Sequence, residues 1–157
     1  MKHLQAVFGI VSAAPILFLI GLAISFGLFI ALPTPIFVSG ITENLFLVIG
    51  IVMILLGTVL AFFSQRVSRK LFHPQGLTCN FDFAQGTYKY SRHPGTLAMF
   101  IMYVGLVFVT NSLIMMILAI VFVLGLTFIF IPLEEKALVL KCGQSYVDYQ
   151  KQVRMWF

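Results

Sequence analysis

The residues of this chain best able to do chemistry are Arg92-His93-Pro94 and Glu134-Glu135. Arginine and histidine can hold an anion, and histidine can also move a proton near neutral pH. Two carboxylates can hold a cation or accept a proton. Charged residues make up only 10% of the 157 residues, and these lie at either end of a long apolar stretch. A charge placed there costs free energy unless it is paired. Neighbouring residues on a helix point roughly 100° apart, so the two glutamates are expected to divide their tasks. One would face inward and the other would meet lysine or water. Interfacial anchoring by an Arg–Glu ion pair fits the spacing equally well, but it leaves the long polar segment Ser64–Ser91 without a purpose.

The elements that must position these residues follow from composition. Hydrophobic residues make up 61% of the chain and its mean hydropathy is +1.05, whereas roughly half of a soluble domain is apolar. By length it is one domain, residues 1–157. Apolar runs cover Val7–Leu32, Ile41–Phe63, Thr96–Thr110 and Leu113–Leu133. A spanning helix needs roughly 20 apolar residues and about 17 at least, so the third run must borrow from its flanks. The first run continues far beyond the ~7–15 residues of a signal-peptide core and is expected to stay as a span. These features predict an all-α integral membrane bundle of four spanning helices, at about 7–32, 41–63, 94–110 and 113–133. A long cytoplasmic loop, 64–93, and a C-terminal amphipathic helix, 134–153, complete it.

Orientation follows from the basic residues. With the N-terminus in the cytoplasm, Lys2, Arg66, Arg69, Lys70, Lys89, Arg92, Lys136, Lys141, Lys151 and Arg154 all fall on one face, while the outer loops hold only Glu43. That asymmetry is the positive-inside pattern, and it puts both termini in the cytoplasm. It also accounts for the net charge of +5, so anionic lipid head groups are the expected electrostatic partner and nucleic acid is not. Cys79 and Cys142 lie on the same face, where a disulfide is disfavoured. They are too few for structural zinc and are expected to be small apolar fillers. Small size and the lack of an Asn-x-Ser/Thr sequon lean towards a prokaryotic inner membrane.

Within the spans, Pro15 can kink the first, and Ala23-x-x-x-Gly27 permits close helix approach. Gly50 and Gly57 share a face of the second span and are read as packing residues. The polar loop interleaves aromatic side chains with charged ones, which argues against disorder, and it should fold against the bundle beside a pocket. Thr110-Asn111-Ser112 joins the last two spans as a tight turn. In the tail, Leu138, Cys142, Tyr146 and Tyr149 or Val153 fall on one side of a surface helix. His73, followed by Pro74, matches no metal-ligand spacing with His93 and Cys79, so no metal is expected. Trp156 and Phe157 read as an interfacial anchor.

Gly86-Thr87-Tyr88-Lys89-Tyr90-Ser91-Arg92-His93-Pro94 resembles the Gly-x-Tyr-x-x-x-Arg-His-Pro motif of the isoprenylcysteine carboxyl methyltransferase and phospholipid methyltransferase superfamily. Glu134-Glu135-x-x-Leu138-x(4)-Gly143-x-x-Tyr146-x-x-Tyr149-x(3)-Val153 is similar to that superfamily's second motif. The two motifs keep their order across a hairpin and cover Gly86 to Val153. The resemblance implies a multi-pass membrane transferase that uses S-adenosyl-L-methionine in a pocket reached from the cytosol. By position, Tyr88, His93, Pro94, Gly95, Thr96 and Glu134 would bind the cofactor. Arg92, His93, Glu134 and Glu135 would form the catalytic group. Asn80 to Phe83 match a cofactor-contacting segment only by distance from Tyr88.

Chemistry fits that implication. The methyl group of the sulfonium is already activated, so the protein has to align donor and acceptor in a dry site. A carboxylate can bind the cofactor's ammonium or ribose hydroxyls, and Arg92 and His93 its carboxylate. An amine acceptor could pass a proton to His93 or a glutamate, whereas a carboxylate acceptor needs no base. Two departures bear on the acceptor. Phe130 stands where prenylcysteine enzymes carry an arginine and would suit a lipid chain, and Gly95-Thr96 replaces a bulkier pair. The expected function is methyl transfer to a lipophilic acceptor, a lipid amine, carboxylate or thiol. The alternatives are an NADPH-dependent membrane reductase of similar architecture, with Arg66, Arg69 and Lys70 near the pocket, or a non-enzymatic tetraspan protein.

Overall fold

The computed structural model describes residues 2–36, 40–71 and 83–156, with side chains for 15–36, 43–68 and 83–156. Those residues form helices α1 (Lys2–Ala31), α2 (Gly40–Leu71), α3 (Pro94–Thr110), α4 (Leu113–Gly125), α5 (Ile131–Cys142) and α6 (Gln144–Gln152). A 3₁₀ turn spans Gly86–Lys89, and a π-helical turn, Leu126–Phe130, joins α4 to α5. Two continuous helical stretches, Glu43–Ser68 and Leu113–Cys142, are long and apolar enough to cross a membrane. At 1.5 Å per residue, each exceeds the roughly 30 Å of a bilayer's hydrocarbon core. Pro15–Ala31 and Pro94–Thr110 are shorter apolar helices.

Three boundaries differ from the sequence reading. α2 does not stop at Phe63 but runs on to Leu71. Polar residues from Ser64 onward mark a change of surroundings, and Gln and Arg propagate a helix well. The last long helix likewise continues past Leu133 to Cys142. Pro132 cannot donate a backbone N–H to the carbonyl four residues before it, and the helix widens over Leu126–Phe130 instead of ending. The tail is therefore two pieces, α5 and α6. They break at Gly143, whose φ of 57° and ψ of −133° suit glycine alone.

Close packing of α2 on α3 sets the frame. A Cβ on Gly50 would lie 2.6 Å from the Gly105 carbonyl oxygen, and one on Gly105 would lie 2.8 Å from that of Gly50. Gly57 is as tight, against Met102 and the Ala98 carbonyl. This is the backbone approach that small residues permit between apolar helices. Ala23-x-x-x-Gly27 does not serve that purpose within this chain. Ala23 and Gly27 are exposed, and nothing lies near a Cβ on Gly27.

α1 packs through Phe18, Tyr103, Val107, Met115 and Ala119, a buried cluster shared with α3 and α4. Inside it the Ser25 hydroxyl donates to the Gly21 carbonyl and pairs with the Tyr103 hydroxyl. At one end of the bundle, Asn111 in the left-handed region turns α3 into α4. The Asn111 carbonyl and side chain accept from the Ile36 N–H, and the Leu113 N–H donates to the Thr34 carbonyl. Between Leu45 and Phe63 the outward side chains of α2 are apolar apart from Thr58, and include Leu47, Ile51, Leu55 and Phe62.

Candidate functional site

The two motifs meet at the other end of the bundle, where three elements hold the Arg-His-Pro segment in place. Pro94 starts α3, as a residue without an N–H does well, and leaves His93 at the helix entrance. The tail after α6 straps the segment from outside. The Arg92 N–H donates to the Arg154 carbonyl at 3.1 Å, and the Ser91 hydroxyl to the Met155 carbonyl at 2.8 Å. The Tyr149 hydroxyl donates to the Tyr88 carbonyl at 2.8 Å. Phe83, Leu138, Cys142, Tyr146, Tyr149 and Val153 form one buried cluster beneath that strap. These are the residues expected on one side of the tail, together with one from the loop.

His93 is 5% exposed and lies between the two glutamates. Its Nδ1 is 3.4 Å from Glu134 Oε2, and its Nε2 is 3.0 Å from Glu135 Oε1. The expected division of labour between Glu134 and Glu135 is thus only partial, since both grip one imidazole from its two ends. Arg92 Nε is 3.1 Å from the same Glu135 oxygen, while Gln150 donates to the other carboxylate oxygen at 3.0 Å. The Arg92 Nε–H is buried and is not aimed along any hydrogen bond, so its contact with Glu135 is an ion pair only. Arg92 Nη1 donates to the Gln150 carbonyl.

Burial alone would favour neutral His93. The hydrogen bonds and charges of Glu134 and Glu135 outweigh it and raise its pKa above the ordinary histidine value. The Tyr146 hydroxyl is pushed well up by burial and then by the Glu135 and Glu134 charges, and Tyr149 by burial and then by Tyr88. Tyr88, raised by burial against the opposing pull of Ser68 and Ser64, completes a set of protonated phenols.

Beside this cluster lies a cavity of about 340 Å³, within the range of roughly 300–1,000 Å³ typical of small-molecule sites. Its polar lining comes from Tyr88, Arg92, His93, Thr96 and Glu134, with Gly95 beside them and Ser64, Gln65 and Ser68 of α2. Its apolar lining comes from Pro15, Phe18, Leu19, Met99, Met102 and Leu138, and Phe83, Tyr146 and Tyr149 add aromatic rings. A Cβ on Gly95 would lie 3.2 Å from the Ser64 hydroxyl, so the glycine lets α2 approach closely here and does not open space.

Three sequence-selected residues lie off this wall. Pro94 is fully buried behind His93. Glu135 faces a separate, open groove with Pro132, Lys136, Val139, Leu140 and Gln150. Phe130 is buried with Leu126, packed by Met99 and Phe122, so it supports the cavity through Met99 and does not line it. His73, Cys79 and Asn80–Asp82 lie outside the described residues, as do the side chains of Arg69 and Lys70. Arg66 is exposed and stacks its guanidinium 4.4 Å from the Phe62 ring, away from the cavity. Cys142 is disulfide-bonded, against the expectation of a free thiol.

Sequence reasoning missed Ser64, Gln65 and Ser68, although with Ala61 they form a stripe at helical spacing along one face of α2. It also missed Gln150 and Ser91, whose roles depend on the chain returning across the site.

The chain belongs to a family described as a protein of unknown function (DUF1295), whose model matches residues 4–153. No curated protein and no solved structure matches it.

Proposed function

We propose that this member of the family is a multi-pass membrane methyltransferase. It would carry a methyl group from S-adenosyl-L-methionine to a lipophilic acceptor at the cytoplasmic face. The observation that carries this reading is the cavity itself, since residues of both motifs line it together with apolar residues of α1, α2 and α3. A polar cofactor and a hydrocarbon chain can each find a suitable side. The exposed apolar residues of α1 and α2 support four helices in lipid, because ordinary soluble monomers rarely expose contiguous apolar patches beyond a few hundred Å².

The residues present fit the cofactor. Glu134 offers a carboxylate to its ammonium or ribose hydroxyls, beside the rings of Tyr88, Tyr146 and Tyr149, whose faces attract a cation. Arg92, which lines the cavity, suits a ligand carboxylate. When bound, the cofactor would supply an activated methyl group. An acceptor's lipid chain would lie against Met99 and Met102. His93, or Glu134 behind it, is within the wall to take a proton from an amine acceptor. A carboxylate or thiolate acceptor would need only alignment and the exclusion of water.

Purified protein incubated with methyl-labelled S-adenosyl-L-methionine and membrane lipid extract should place label in the organic phase. Label that stays aqueous with every lipid, amine, carboxylate and thiol class tested would count against the reading. The NADPH alternative gains no support from Arg66, which points away from the cavity.

A further inference from the structure

Glu134 and Glu135 are adjacent in sequence but open onto different spaces. Glu134 lines the enclosed cavity, and Glu135 lines the open groove of about 500 Å³ with Lys136, Leu140 and Gln150. The imidazole of His93 lies between them, with one ring nitrogen on each carboxylate. No other group is needed to connect the two spaces. We propose that Glu134, His93 and Glu135 form a proton port, through which a cation settling against Glu134 in the cavity drives one proton from His93 out through Glu135 into the groove. This rests on the reading that the cavity takes a cationic methyl donor.

Charge balance in a dry place drives the transfer. Without a ligand, Arg92 and protonated His93 face Glu134 and Glu135, two positive groups against two negative ones. The other titratable groups around the ring are Tyr88 from the 3₁₀ turn and Tyr146 and Tyr149 from α6, all held as neutral phenols. Adding a cation beside Glu134 leaves one positive charge unmatched in a buried cluster, which is costly. The cluster recovers neutrality by losing a proton. The proton leaves Nε2 for Glu135 Oε1, 3.0 Å away, and passes from that carboxyl to water in the groove, while Nδ1–H stays on Glu134. Gln150 holds the other oxygen of Glu135 and so keeps Oε1 turned to the ring. Release of the ligand runs the same transfers backwards. Glu135 is therefore a positioning residue that acts through His93 and need not touch the ligand.

The test is calorimetric titration of the full chain in detergent with S-adenosyl-L-methionine, in two buffers of different ionisation heat, across a pH series. The expected result is release of up to about one proton per ligand, greatest above the ordinary histidine pKa of roughly 6.5 and vanishing at lower and higher pH. In Glu135→Gln the maximum should shrink and move to lower pH, and His93→Gln should release none. A second measurement needs no folding-sensitive variant: ¹⁵N-histidine spectra of the wild type should show one ring nitrogen of His93 losing its proton when the ligand is added. Wild-type binding without proton release at any pH would overturn the port, as would an unchanged profile in Glu135→Gln. Absence of binding by folded protein would remove the methyl-donor reading and the port with it.

Discussion

Among the described residues, the bundle treats the polar groups it buries around Ser25 and around His93 in opposite ways. Around Ser25 and Tyr103 the groups are neutral hydroxyls. Ser25 donates to a carbonyl of its own helix and pairs with Tyr103, and Phe18, Phe122 and Met115 surround them. Around His93 the groups are charged, and on one side they face a cavity. Phe18 borders both places, packing on the Tyr103 ring and lining the cavity wall. A closed neutral pair joins helices and leaves nothing for a ligand to do. A charged cluster that lines a cavity leaves room for a ligand.

If that contrast is right, variants of the two places should fail differently. Glu134→Ala should show the largest effect on binding. Losing a charge-assisted hydrogen bond of about 1.5–3 kcal/mol weakens S-adenosyl-L-methionine by roughly 10–100-fold among folded molecules, beside a fall in melting from leaving buried His93 with one carboxylate. Gly105→Val should reverse the pattern. Its branched side chain would meet the Gly50 carbonyl and the Ile54 backbone, and overpacking of this kind costs about 1–3 kcal/mol. Thermal unfolding should fall while the folded fraction keeps its affinity.

The pH dependence of stability sharpens the contrast. The folded-state pKa of His93 is raised, so its contribution is fully present below about pH 6.5 and fades as pH rises through the folded value. Melting followed from pH 6 upward should show that decline in the wild type and a weaker one in Glu135→Gln. Tyr103→Phe should cost only about 0.6 kcal/mol, as interhelical hydrogen bonds in membranes do, and leave binding intact. Lys151→Ala, which breaks an exposed contact with Asp148, should change neither property.

Much of the site was legible because its residues are chemically specific. Arg92, His93, Glu134 and Tyr88 stand out in an apolar chain, and the structure brings them to one wall. The glycine seam was legible at Gly50 and Gly57, but its partner Gly105 needed the helix pairing to be known. Continuity was harder to read. Polarity after Phe63 looks like the end of a helix and is only a change of surroundings, and Pro132 looks like a stop until a π turn absorbs it. The same widened turn precedes the two glutamates, which both reach His93 although simple helix geometry separates them by about 100°. Phe130 is hard to place from sequence for a related reason. Its apolar character is equally suited to lining a cavity or filling the core behind it, and only packing decides.

The central claim is that the cavity beside His93 binds S-adenosyl-L-methionine through Glu134. Calorimetry on detergent-purified protein, with this ligand and separately with NADPH, tests it most directly when the isosteric Glu134→Gln variant is measured alongside. The account predicts binding of the methyl donor by the wild type, no binding of NADPH, and a loss of at least tenfold in affinity in a variant that melts as the wild type does. Binding of NADPH alone, or equal affinity of variant and wild type for the methyl donor, would contradict it.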